Sequence, residues 1–548
     1  MSILDTYTQP LTAQTAAHLL RRATVGPTQR EIAVFTGLSA TQAVRQLSDS
    51  SESLLSPAVA IDSSLSTTVG QPFLTRPYSD TSNDLYLTSV KYWWLALMTT
   101  QKTPVNLLDK LTLFWQNHFV VTSDVVSDHR FINRYLLLLR NNALGSFETL
   151  LTEISKDPAM LCYLNGNENE KGRPNENYAR ELQEIYTVGV TDTDGTENYS
   201  EDDVKAAARV LTGWAYTNYE TAGTTSIDPA FDISKHDATD KAFSSNYNNT
   251  VISSRPGTPN SFATTGEAEL GALVTMLLKH ASTPRFICRK LYRWYVNPTI
   301  TPAIETDIIG PLATFFASPE NNYAIRPVLE KLLTSQAFFS NDTIGTIIKS
   351  PIELVLGALR FFEQPVPDMV TDTNAFRNYF TYAYDAMRSM EFEVLNQPGE
   401  FGYEPYYQTG YSRTWLTSVT VAERNKFTDT LVERSVGVKP GFSLGIDLLS
   451  WVRTLQSNFD SMSVMPAITC EQVLASFTEN LFAVNLSQSQ RDFLIDTIMM
   501  KNAPRSSWIT EWNAFRSASN DAGKRTLVMG RLESLMKYLL RMAEYQVY

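Results

Sequence analysis

Three separate stretches of this chain carry the side chains that open an α-helix. Thr28-Gln29-Arg30-Glu31 follows Gly26-Pro27 and reads as a capping box, where a hydroxyl and a carboxylate three residues apart satisfy each other's orphan backbone N–H groups. Ser200-Glu201-Asp202-Asp203 opens a second helix with acids at the positive end of its dipole. Ser350-Pro351-Ile352-Glu353 opens a third, with Pro at the first helical position. Apolar residues at helical period follow each one. Strand-prone runs such as Val120-Val121-Thr122 are too short to build a sheet. These features predict a mainly α, large multi-helix globular fold with long ordered loops and at most a small β-hairpin or two.

A chain of 548 residues exceeds what one core usually fills. The expected division is an N-terminal helical segment (1–48), a Ser/Thr-rich loop (49–80), a central helical domain with the polar motifs (81–365), and a C-terminal helical part (366–548) packed on it. The apolar fraction of 43% is ample for a folded core, and the net charge of −12 argues against a nucleic-acid partner, which would need a basic stripe. Three scattered cysteines, Cys162, Cys288 and Cys470, give neither a disulfide framework nor a metal knuckle. No run reaches the roughly 18 to 20 apolar residues of a membrane span. MSILDTYTQPLTAQ lacks a basic and then apolar leader, so a cytoplasmic location is the default and export (periplasmic or extracellular) the alternative.

The stretch Asn175 to Tyr216 crowds charge, amide and aromatic groups onto two consecutive helices beyond what core packing requires. In NENYARELQE, Tyr178, Leu182, Ile185 and Gly189 form the packing face. Asn177, Glu181 and Glu184 fall on the adjacent stripe, where paired carboxylates can share a metal or divide acid and base roles. The bland reading is a solvated face with an Arg180–Glu184 pair. In FWQNHF, the helical phase sets His118 with Leu108, Leu111 and Trp115, so the ring is either a core histidine or the edge of a pocket also lined by Asn117. FDISKHD supplies His236 and Asp237 from a loop, as metal ligands, an oriented base, or ordinary hydrogen bonders. The basic positions Arg285, Arg289, Lys290 and Arg293 read as a solvated or ion-paired face. No G-x-S-x-G nucleophile elbow, Walker loop or dinucleotide-binding glycine loop is expected, and the acidic turn Asp192 to Glu197 fails the EF-hand register.

Eight blocks, in order, carry a resemblance: AAHLLRRATVGPT, LFWQNHFV, DPAMLCYLNG, NENYARELQE, YSEDDVKAAARVLTGW, FDISKHD, RFICRKLYRWYV and KSPIELVLGALR. Together they resemble the bacterial family called "domain of unknown function 1800" (DUF1800). Two departures stand out: Gly402-Tyr403-Glu404-Pro405 replaces the family's G-W-P ahead of its aromatic stretch, and the Thr191 to Asn198 insertion is long. The resemblance implies a bacterial protein, often exported and often encoded near sulfatase-like proteins, and it implies no established substrate.

Two functions follow from these residues. One is an enzyme, a metal-assisted hydrolase, with a pocket of His118, Glu181, Arg180, Asn177, His236 and Asp237. Here His118, His236 and Glu181 would hold a divalent metal, and Arg180 an anionic substrate group. The other is a non-catalytic binding or assembly protein, in which the same side chains form a buried network and the Tyr-rich Gly402 to Trp415 loop meets a small-molecule, glycan or protein partner. Convergence in an open cleft favours the first; full satisfaction by protein partners favours the second.

Overall fold

All three expected helix starts form as reciprocal boxes in the structure, a computed structural model that describes residues 2–49, 57–100, 105–254, 262–408, 410–456, 459 and 467–548. Thr28 N–H donates to Glu31 Oε2 (2.7 Å) and Glu31 N–H returns a bond to Thr28 Oγ1 (3.1 Å). Ser200 and Asp203 do the same, and Ser350 donates to Glu353 Oε2 from both N–H (2.9 Å) and Oγ (2.7 Å).

The helices that position the functional residues are α1 (Ala13–Ala23), α2 (Gln29–Phe35), α3 (Asp80–Thr99), α4 (Leu108–His118), α5 (His129–Asn142), α6 (Glu176–Glu184), α7 (Glu201–Val210), α8 (Phe262–Lys279), α9 (Ser282–Tyr295), α10 (Pro351–Phe361), α11 (Thr373–Ser389), α12 (Ser418–Glu433) and α13 (Ala522–Arg541). The fold is mainly α. Three antiparallel ladders of two strands occur among the described residues, one more than expected: β1 (Trp214–Tyr216) with β2 (Pro229–Phe231), β3 (Lys241–Ala242) with β4 (Val251–Ile252), and β5 (Val436–Lys439) with β6 (Phe442–Leu444). The span from Tyr216 to Gly266, read as a loop, thus carries β2, β3 and β4, and residues 255–261 of it lie outside the described residues. Likewise the Ser50 to Arg76 loop is described only from residue 57 on.

Buried apolar side chains from Leu4 to Tyr545 join in one continuous core. Its largest pieces, Trp94, Trp115, Trp508 and Trp512, are fully buried. Burying a large apolar side chain is worth about 1.5–3 kcal/mol, so these rings anchor both ends of the chain. Gly26 and Gly357 let two segments meet: a Cβ on Gly26 would lie 2.7 Å from Gly357 Cα, which brings the turn after α1 against α10. No described helix is long and apolar enough to cross a membrane.

Candidate functional site

Helix α4 is buried on every side, with Lys110, Gln116, Asn117 and His118 as inaccessible as its leucines. Asn106 starts it by accepting the Leu108 N–H (2.9 Å), and Trp115 Nε1–H donates to Ala143 O (3.0 Å). The helix ends at His118. That ring has Nε2 3.2 Å from Tyr186 O and Nδ1 2.9 Å from Lys290 Nζ. A carbonyl can only accept and an ammonium can only donate, so Nε2 carries the proton and Nδ1 receives one from Lys290. Burial, and then the neighbouring Lys290, hold the imidazole well below its ordinary range, which fits a neutral ring.

Lys290 is not part of a solvated basic face. Its ammonium also donates to Ile185 O (3.1 Å) and lies over the rings of Tyr407 (4.4 Å) and Phe286 (4.8 Å). Burial brings its pKa down to about 7, and Arg293 adds to the effect. The helical phase could have placed it, because Lys290 shares the stripe of Ile287, Leu291 and Trp294. Its neighbours Arg285 and Arg289 do pair, both with Glu305.

Asn117 is bonded to the Tyr403 backbone. Its Oδ1 accepts the Tyr403 N–H (2.8 Å), and Gly402 packs so closely that a Cβ there would stand 2.4 Å from Asn117 O. Gly402 also has φ +72°, a region only glycine enters freely. Tyr407 O–H donates to Phe114 O (3.0 Å). The Gly402-Tyr403-Glu404-Pro405 segment is therefore clamped onto FWQNHF.

Helix α6 is capped by Asn175, whose Oδ1 accepts the Asn177 N–H (3.0 Å), and it stops at Glu184. The packing face expected to run on to Gly189 is broken there, since Gly189 has φ +76° and turns against Phe286. The expected Arg180–Glu184 pair does not form. Arg180 instead makes a two-pronged bond to Glu201 (2.7 and 2.6 Å), and Glu184 accepts from Tyr199 O–H (2.8 Å). Asn177 is exposed. Glu181 is different: it is 8% exposed, and its Oε2 is buried without a hydrogen-bond partner. Burial, then Glu400 and Glu184, push its carboxyl up to about 7 against the opposing pull of Arg180. The same Glu400 and Glu181, after burial, push the Tyr163 phenol up to about 12.

His236 sits in a second, separate network. Gly213, at φ +87°, brings the segment after α7 against Asp232 and His236, where a Cβ would stand 2.7 Å from Asp232 O. His236 Nδ1 lies 2.8 Å from Thr212 O, and Nε2 lies 3.1 Å from Glu269 Oε2 on α8. Lys241 of β3 donates to the same Glu269 oxygen (2.5 Å) and to Asp237 O (2.5 Å), and the Lys241 and Glu269 side chains are fully buried. Asp237 accepts from Arg209 Nε (2.7 Å). Burial works upward on that carboxyl, but hydrogen bonds from Arg209 and Thr239 outweigh it and hold it below its ordinary range. This network pins the FDISKHD loop between α7 and α8.

The expected ligand set is not gathered. His118 is held by Tyr186 and Lys290, His236 by Thr212, Glu269 and Lys241, and the Glu181 carboxyl feels the charge of Glu400. Among the described residues, no three His, Cys, Asp or Glu side chains stand together as a metal site. The acidic turn at Asp192 closes on itself through an Asp192 N–H bond to Thr196 O (2.9 Å). Cys288 is fully buried and Cys162 half-buried, both thiols raised by burial.

A large open cleft lies on the other side of the Pro398 to Pro405 segment, with a volume of about 770 Å³. Its wall is aromatic: Phe392 and Tyr403 stack at 4.6 Å and 17°, and Trp415 stands 5.7 Å from Tyr403. Phe401 keeps 50% of its surface exposed at the rim, among Arg388, Glu391, Glu393 and Glu404. Aromatic density in the Gly402 to Trp415 loop signalled this region, whereas Glu391 and Glu393 carried no spacing signal. Against the expectation of no G-x-S-x-G motif, Gly441-Phe442-Ser443-Leu444-Gly445 has that spacing. Ser443 lies in β6, paired with Gly437 of β5, and not on the strand-to-helix elbow that exposes a nucleophile.

The model of the family described as "Protein of unknown function (DUF1800)" matches residues 18–547, nearly the whole chain. No curated protein and no solved structure matches the chain.

Proposed function

The chain belongs to the DUF1800 family, which supplies no activity to start from, and from the geometry we propose that it is a non-catalytic binding protein for a neutral glycan. The observation that carries this reading is the separation of two kinds of residue. The motif histidines spend both ring nitrogens on protein partners inside the fold. A large open cleft instead carries aromatic side chains, with Phe401 exposed at the rim and carboxylates at its edge. Sugar rings offer apolar C–H faces that stack on aromatic rings and hydroxyl edges that donate to carboxylates. A volume of about 770 Å³ suits a ligand of two or three sugar units. Three glutamates against one arginine at the rim disfavour an anionic ligand.

The test is calorimetric titration of the protein with neutral oligosaccharides of glucose, mannose and galactose. Saturable binding is expected, lost in Phe401→Ala at an unchanged melting temperature. Absence of binding to every member of the panel overturns the reading.

One observation favours a second reading, a hydrolase. Glu181 bears an unpartnered carboxyl oxygen, burial raises its pKa to about 7, and it feels the charge of Glu400, whose neighbours Gly399 and Phe401 line the cleft. Such a pair can divide acid and base roles. Under this reading Glu181→Gln abolishes release of reducing ends from a bound glycan; under the first there is none to abolish.

A further inference from the structure

Far from the cleft, the structure collects cations around a single carboxylate. Arg21 and Arg22 from the last turn of α1, Lys110 of α4, Lys349 before α10 and Arg424 of α12 surround Glu353. Glu353 is fully committed. Its Oε1 takes Lys110 Nζ (2.7 Å) and the Tyr548 hydroxyl, and its Oε2 takes the two Ser350 donors. The other cations are met by oxygens that carry no charge: Arg21 Nη2 bonds Asn480 O (2.6 Å), Lys349 Nζ bonds Tyr545 O (2.5 Å), and Arg424 Nη2 bonds Lys349 O (2.7 Å). Arg22 is fully buried. It spends Nη2 on Thr343 O (2.5 Å) and leaves Nε and Nη1 without a partner. A carbonyl satisfies a donor's geometry but does not neutralise its charge, and buried charge of one sign is costly until an opposite charge joins it.

A cavity of about 40 Å³ opens at this place. Arg21 and Lys349 supply its cations, Glu353, Asn480, Tyr545 and Tyr548 its other polar groups, and apolar side chains and glycines, chiefly of the α1–α2 turn and of α10, the rest of its wall. The Tyr548 ring that lines it lies under both Arg22 (5.0 Å) and Lys110 (4.9 Å). A cavity needs on the order of 10–15 Å³ for each water it holds, so this one has the room of roughly three waters, or of one small ion in their place. Such a space fits the head of a compact oxyanion and excludes a bulky ligand.

We propose that this cavity between α1, α10 and the C-terminal segment is a binding site for a small oxyanion, a phosphate or a carboxylate, held by Arg21 and Lys349. A guanidinium fork suits an oxyanion, and the Lys349 amine, held well below its ordinary range by burial and then by Arg21 and Arg424, gains its proton as the anion's charge arrives. Two of the eight ordered sequence blocks, AAHLLRRATVGPT and KSPIELVLGALR, meet here and not at the glycan cleft, and the two sites are independent.

The test uses the full chain and two probes, inorganic phosphate and acetate, with sodium chloride at matched ionic strength as reference. Melting curves are recorded for the wild type, Arg21→Gln and Lys349→Met. The expected result is a saturable rise of several degrees with at least one probe over chloride in the wild type, absent in both variants. Equal behaviour in all salts, or the same rise retained in both variants, overturns the site. Calorimetry of the wild type with each probe needs no variant, and the lack of saturable heat with both overturns it as well. Phosphate binding without acetate identifies a phosphate site, and the reverse a carboxylate site.

Discussion

Lys290 donates to Nδ1 of His118 across 2.9 Å, and among the described residues no carboxylate forms an ion pair with it. The pair joins α4, the end of α6, α9 and the Tyr407 segment at one buried point. Its protonation is therefore tied to stability.

The sign of that tie is fixed by the direction of the shift. Lys290 falls from 10.5 to about 7 on folding, so between those values the unfolded chain binds the extra proton and stability rises with pH. One full proton corresponds to about 1.4 kcal/mol per pH unit. Urea denaturation at pH 7.5, 8.5 and 9.5 should show a steeper rise for the wild type than for Lys290→Met. Equal slopes would place the ammonium in solvent.

Removing the other partner is costlier. His118 packs edge-on against Trp115 (5.6 Å) and Phe119 (4.4 Å). His118→Ala leaves a cavity and strands two polar groups, and it should cost about 3–5 kcal/mol in chemical denaturation. A loss below about 1 kcal/mol would mean the ring is free to act elsewhere.

Glu181 predicts the opposite sign. Its carboxyl rises from 4.5 to about 7 on folding, so the unfolded chain loses its proton first and stability falls as pH climbs from 4.5 to 7. Glu181→Gln should match the wild type near pH 4.5 and exceed it by about 1 kcal/mol at pH 8, a figure reduced for solvent screening. If the variant is weaker at pH 8, the carboxylate has a partner that stabilises it.

Gly402→Ala combines strain at φ +72° with a close approach to Asn117 O. It should destabilise by about 1–3 kcal/mol and displace the rim of the cleft, lowering oligosaccharide affinity. Unchanged melting would show that the segment lifts freely from α4.

Local signals in the sequence account for much of the fold. Hydroxyl and carboxylate spacings at Thr28, Ser200 and Ser350 predict helix starts because caps are satisfied within four residues. The site is less legible for a matching reason. His118 and His236 look alike as polar residues in apolar settings, and whether such a ring faces a cavity depends on Lys290 and Glu269, distant in sequence from each. The Arg180–Glu184 expectation failed because Glu201 of the next helix offered two oxygens in a better plane. Lys290 was legible from helical phase, but its charge argued for solvent, and the aromatic faces that replace water come from Phe286 and Tyr407.

Oligosaccharide affinity measured beside melting temperature, in Phe401→Ala and in His118→Gln, tests the central claim most directly. Phe401→Ala is expected to lose the ligand and keep its melting temperature, while His118→Gln lowers its melting temperature and, at a temperature where it is folded, keeps the ligand. A His118→Gln protein that melts like the wild type and has lost the ligand would contradict it.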